Sequence, residues 1–177
     1  MRIAISIISL IILSFLQISF LPNFVILGSV PNLILIVAIS WCIVGNFKEA
    51  IFWGIAGGII LDLFSPFYFG IISLSNIAII AAIYFIVKNI INSDDRVSVA
   101  AICAIATLLY NFFLIFFILI ANLVKLDNLI QPLSFQFLLS IFVQIIFNTI
   151  LISLVYNYIK SIQEIESYYE QRRQIKA

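Results

Sequence analysis

The chain has 177 residues, of which 64% are hydrophobic and only 10% charged. A soluble domain is nearer half apolar and a quarter charged, and a chain this small has too much surface for its volume to hide the excess in one core. The composition therefore demands lipid as solvent, and a net charge of +1 excludes a general electrostatic attraction to nucleic acid.

Charge spacing divides the chain. Ile3 to Phe47 carries no charge, and between Glu49 and Lys88 the sole charge is Asp62. Val97–Val124 and Asn128–Ile159 are uncharged. A membrane-spanning helix needs roughly 20 apolar residues. The first gap suits two helices, broken at Pro22, Gly28 and Pro31; the second also suits two, broken at Ser65–Gly70. The last two hold one each. The expected spans are about 3–21, 31–46, 49–65, 70–90, 97–122 and 133–159. A β-barrel would show short segments of alternating polarity, whereas Ala78–Val87 and Phe112–Ala121 are apolar on every face.

With six spans, the even-numbered connections share a side with both termini. That side carries Arg2, Lys48, Lys88, Arg96, Lys160, Arg172, Arg173 and Lys176, and the other side only Lys125. Basic residues collect on the cytoplasmic side, so both termini are expected there. The fold class is all-α: a polytopic membrane bundle of six transmembrane helices. Residues 1–177 form a single transmembrane domain with a short cytoplasmic tail, 160–177, that continues the last helix. Within that tail Glu170 and Arg173 stand at pairing distance; it reads either as a solvated tail or as a docking helix. The first run is long for a signal peptide and lacks a clean cleavage site, so it is read as an uncleaved helix.

Little lies outside lipid: an uncharged connection at Asn23–Val30, a polar turn at Asn92–Arg96, and Leu123–Pro132 with Lys125 and Asp127. The chain has no histidine, which removes histidine triads and metalloprotease helices. It shows no Ser-x-x-Lys or Gly-x-Ser-x-Gly pattern and no phosphate-binding loop. Cys42 and Cys103 sit in apolar runs and read as packing residues rather than a disulfide or a zinc site. With Asp62 the only intramembrane acid, no acid–base pair can form. No enzyme, cofactor or metal is expected.

Asp62 demands explanation, because an ionisable residue in a span is costly and usually faces the bundle interior or a cavity. Three readings stay open: it handles a proton or cation, it pins the Ser65–Gly70 turn by accepting backbone hydrogen bonds, or it simply reaches the interface. Ala50, Gly54, Gly58 and Asp62 recur every four residues and share one helix face. Small residues let helices approach closely in lipid, so the third helix is expected at the centre of the bundle. Ala78/Ala82 and Ala100/Ala104 repeat the small-residue theme on the next two helices. Asn76, Asn111, Gln144 and Asn148 add polar groups within spans. They read as interhelical hydrogen bonds, or, for Asn111, Gln144 and Asn148, as a polar ligand pocket.

The stretch Pro31-Asn32-Leu33, then Trp41, then Gly58-Ile59-Ile60-Leu61-Asp62-Leu63-Phe64-Ser65, then Gly70 resembles the MreD family of bacterial rod shape-determining membrane proteins. The pattern is a proline opening the second apolar segment, an aromatic about ten residues on, a glycine four before an Asp-Leu pair, and a glycine eight after that Asp. Pro66 stands where the family often has glycine. The matching block covers residues 31–70; elsewhere the resemblance is one of size, helix number and hydropathy.

The resemblance implies a non-enzymatic scaffold in the bacterial cytoplasmic (inner) membrane. Its partner would be MreC and, indirectly, a RodA-type glycosyltransferase, a class B penicillin-binding protein and MreB, in maintaining rod shape during peptidoglycan synthesis. On that view Ala50, Gly54 and Gly58 pack the third helix, while Asp62 and Gly70 shape a turn where a partner docks. The alternative is a substrate-binding subunit of a vitamin-type transporter, using Asp62, Asn111, Gln144 and Asn148. Such subunits typically carry an Ala-x-x-x-Ala pair on the first helix, where this chain has Ala4 followed by Ile8.

Overall fold

Six α-helices carry the computed structural model, which describes residues 2–90, 95–123 and 135–176, with side chains at 6–88, 95–123 and 135–165. They are α1 (Arg2–Phe15), α2 (Leu33–Ile43), α3 (Phe47–Leu63), α4 (Ile71–Ile90), α5 (Arg96–Leu123) and α6 (Phe135–Lys176). Four runs are long and apolar enough to cross a membrane: Ser6–Phe24, Ile71–Lys88, Arg96–Leu123 and Phe135–Ile165. The expected connection through Lys125, Asp127 and Pro132, and residues 92–94 of the polar turn, lie outside the described residues.

The first span is not one uniform helix. After Phe15 the chain makes a π-helical turn over Leu16–Phe20 and a 3-10 turn over Leu21–Phe24. Pro22 sits at the start of that last turn, where its missing N–H costs nothing because early helical donors lack intrahelical acceptors. A tight hairpin then closes with Ile26 and Ser29 exchanging both backbone bonds, at 3.1 and 3.0 Å.

The second span, expected over 31–46, is trimmed at both ends. Only Leu33–Ile43 is helical, about 16 Å of rise against a hydrocarbon core of about 30 Å. Its caps explain the shortening. The Asn32 side chain accepts from Leu35 N–H and starts the helix. At the far end Asn46 N–H donates to Trp41 O and Gly45 N–H to Cys42 O, a Schellman stop with Gly45 at a φ of +91°. Asn46 at once caps α3 by accepting from Glu49 N–H. Two helices thus join through a three-residue turn.

α2, rather than α3, is the enclosed element. Every residue from Ile34 to Ile43 is buried, and α2 contacts each of the other five helices. A helix with no polar face can be surrounded in this way. α3 packs most extensively on α4 and α2, and α6 runs without a break past Lys160 to Lys176.

Candidate functional site

The expected stripe on α3 is a buried packing face: Ala50, Gly54, Gly58 and Asp62 are all buried. Gly58 shows why the stripe is small. A Cβ built there would stand 2.7 Å from the Ser73 Cα of α4 and 3.2 Å from Asn76 Nδ2. The obstacle is backbone, so no side-chain rotation relieves it. A Cβ at Gly54 would strike Ile80, and one at Gly57 would strike Ile34 of α2. α3 is therefore small on two faces, toward α4 and toward α2. Asn76 crosses this contact and donates to Gly54 O at 3.3 Å.

Close approach brings Asp62 to the start of α4. Ile72 N–H donates to its Oδ1 at 2.9 Å, and Ser73 N–H to its Oδ2 at 3.0 Å. The Ser73 hydroxyl donates to Oδ2 as well. The remaining early donors of α4 are also met: Ile71 N–H by Tyr68 O at 3.2 Å and Leu74 N–H by Gly70 O at 2.8 Å. Gly70 occupies the capping position, at a φ of +101°, and has no side chain to cap with. The cap comes instead from Asp62, one helix away. A carboxylate suits this place, since charged acceptors make stronger bonds and the helix N-terminus carries partial positive charge.

Of the three readings of Asp62, this is the geometry of the pin. Its target is the first turn of α4, beyond the turn at which the pin was expected. Ser65 organises the turn itself, its hydroxyl accepting from Phe67 N–H at 3.0 Å. Asp62 is 4% exposed, whereas Leu63, Phe64 and Phe69 around it are 66, 68 and 66% exposed. The α3–α4 corner is locked from within and apolar outside.

A second buried helix start is secured differently. Asn32 N–H donates to Asn148 Oδ1 of α6 at 2.9 Å, and Ile34 N–H to Gln17 Oε1 of the first span at 3.1 Å. Gln17 also donates to Asn32 Oδ1 at 3.1 Å. Asn148 Nδ2 donates to the Thr107 hydroxyl of α5 at 3.1 Å. Asn111 donates to Gln144 Oε1 at 2.8 Å, and Gln144 to Val30 O at 3.4 Å. Asn111, Gln144 and Asn148, expected as bonds or as a pocket, are bonded to one another's neighbourhood and to backbone.

Pro31 and Trp41 take separate places. Pro31 precedes the Asn32 cap, while Trp41 is buried near the other end of α2, away from the Asp62 corner. Gln17, Ser73 and Thr107 escaped the sequence reading. Their one available signal was polarity inside an apolar run, which Asn32 also gave, directly after a proline. Among the described residues no three His, Cys, Asp or Glu side chains group to hold a metal ion.

A family model described as MreD, rod shape-determining protein MreD, matches residues 1–162. No curated protein and no solved structure matches the chain.

Proposed function

Because the chain belongs to the MreD family of rod shape-determining proteins, we propose that it is a non-enzymatic scaffold of the cell-elongation machinery in the bacterial cytoplasmic membrane. The match over residues 1–162 carries the reading. In this proposal the chain crosses the membrane six times with both termini in the cytoplasm. It binds MreC, and through it works with a RodA-type glycosyltransferase, a class B penicillin-binding protein and MreB.

The corner between α3 and α4 is the proposed contact for MreC. Leu63, Phe64 and Phe69 are exposed there, and Asp62 ties the start of α4 to the end of α3, on either side of the turn that presents them. A rigid, apolar, pre-formed surface loses little entropy when a partner arrives. Gly54 and Gly58 act indirectly, by letting α3 come close enough for the carboxylate to reach α4. The vitamin-transporter reading needs free polar groups, and Asn111, Gln144 and Asn148 already bond within the protein.

The test replaces the chromosomal copy with Asp62→Ala, and separately with Leu63→Ser/Phe64→Ser, and follows cell width and recovery of MreC on affinity purification. Rounded cells and lost MreC are expected with both. Normal rods with full MreC recovery in the surface variant would refute the corner as the contact. A metabolite that stabilises the purified protein at submicromolar concentration would overturn the scaffold reading, since ligands stabilise by mass action.

A further inference from the structure

The non-helical stretch before α2 keeps step with α6. Gly28 lies against Ser140: a Cβ on the glycine would stand 3.7 Å from the serine Cβ. Val30 O accepts from Gln144 at 3.4 Å, and Asn32 N–H donates to Asn148 at 2.9 Å. Each two residues of the stretch thus match four of α6, about 6.6 Å of extended chain against about 6 Å of helix. At the other end of α2, Val44 O accepts from Gln163 at 3.2 Å. From Ser140 to Gln163 α6 rises about 34 Å, close to the roughly 30 Å of a hydrocarbon core. α2 covers about 16 Å of that depth, and the stretch from Gly28 to Asn32 covers about 13 Å more. Non-helical backbone is tolerated at such depth only where protein covers it. Here Ser29 and Asn32 are buried, and Pro31 has no N–H to satisfy.

The hairpin that leads into this stretch therefore sits level with Ser140, at the boundary of the hydrocarbon layer. Phe135 and Leu138 stand further out on α6, Phe142 further in, and all three are exposed, so the lipid-facing surface of α6 runs past the hairpin on both sides. Phe20, Phe24, Val25, Ile26 and Leu27 are each more than half exposed, and no charge lies anywhere from Ile3 to Phe47. The Asn23 amide turns back to donate to Ser19 O at 2.9 Å. Leu27 stands at a φ of +50° and Gly28 at +81°. In a two-residue turn with both centres left-handed, Asn-Gly or Asp-Gly is the relaxed pair. A leucine is strained there, and water gives its exposed side chain no compensation. An apolar medium does.

We infer that the Phe24–Leu27 hairpin is a lipid-binding anchor, set into the leaflet that holds the start of α6, where the acyl chains meet the ester layer. Phospholipid is its occupant, because the depth fixed by Ser140 lies within the lipid-facing length of α6. The second crossing is then a composite, extended in one part and helical in the other. The connection expected outside lipid lies at its edge. The inference rests on the membrane crossing proposed above and is independent of the α3–α4 corner.

The test places a single environment-sensitive fluorophore on Leu27→Cys or, at an unstrained position, on Val25→Cys. Phe142→Cys on α6 serves as the reference. Cys42 and Cys103 are buried and stay unlabelled in the folded chain. Each full-length variant, its helicity checked by circular dichroism, is reconstituted in phospholipid vesicles. Quenching is compared between aqueous iodide and phospholipids that carry a nitroxide near the top of the acyl chain. Both hairpin positions are expected to lose most of their fluorescence to the nitroxide and little to iodide, as Phe142 does. Iodide quenching at Leu27 and Val25 with nitroxide quenching at Phe142 would overturn this inference and leave the crossing standing. Iodide quenching at all three would overturn both. Protection of the hairpin from both quenchers would mean that protein covers it, a second copy of the chain included, and would overturn the inference too.

Discussion

Two helices of this protein begin inside the bundle, and each solves the same problem with different chemistry. The first N–H groups of any helix lack intrahelical acceptors, and water is not at hand to supply them. At α4 one carboxylate from a neighbouring helix meets two N–H groups and a hydroxyl. At α2 the work is divided among neutral amides from the first span, from α6 and from Asn32 itself. The carboxylate makes the stronger bonds but concentrates them in one residue. The amides make weaker bonds and distribute them, so no single loss is decisive. A charged clamp gives rigidity at a chosen corner; a neutral one lets a short helix sit at the centre of the bundle.

That contrast predicts a hierarchy of unfolding costs, readable from detergent-titration midpoints followed by the fluorescence of buried Trp41 and Trp53. Asp62→Ala should cost the most, on the order of 3–5 kcal/mol, since three donors lose an acceptor at once. If it proved no worse than an amide loss at α2, the charged clamp would be no stronger than the neutral one. Gly58→Ala comes next, at about 2 kcal/mol, because the new Cβ must push Ser73 backbone away. The same shift pulls α4 from Asp62, so combining the two substitutions should cost less than their sum. Additivity would mean that the glycine contact and the clamp are unconnected.

Asn148→Ala should cost about 1–2 kcal/mol, the upper range for polar contacts between membrane helices. It strips the acceptor from Asn32 N–H and the donor from Thr107, while Gln17 still holds Ile34. Asn111→Ala should cost the least, about 0.6 kcal/mol, because Gln144 keeps its bond to Val30 O. An Asn111 loss larger than that of Asn148 would show that the α5–α6 contact, rather than the start of α2, is what the amides secure.

Much of this could be read in the chain before folding. Charge gaps located the helices, and the four-residue recurrence from Ala50 to Asp62 identified the packing face of α3, because a helix period places such residues on one side. Asp62 was visible as the one acid in an apolar run. The ends of α2 were less visible: the expected span, 31–46, ran two residues before and three beyond the helix, because charge gaps and prolines do not mark where the Asn32 and Gly45 caps act. Burial misled as well. The small residues of α3 pointed to it as the central helix, yet size governs how near a neighbour comes, not how many neighbours there are.

The sequence alone determined the solvent, the helical class and the face of α3 that must lie against something. Those follow from local composition and a fixed period, which need no knowledge of distant residues. Tertiary structure decided what that face meets: Ser73 and Asn76 beside Gly58, and the first turn of α4 on Asp62. It also decided that Asn32 would pair with Asn148, 116 residues away. A polar side chain announces that it needs a partner, but the partner depends on the rotation and axial offset of two packed helices, and these are set only when all the helices settle together.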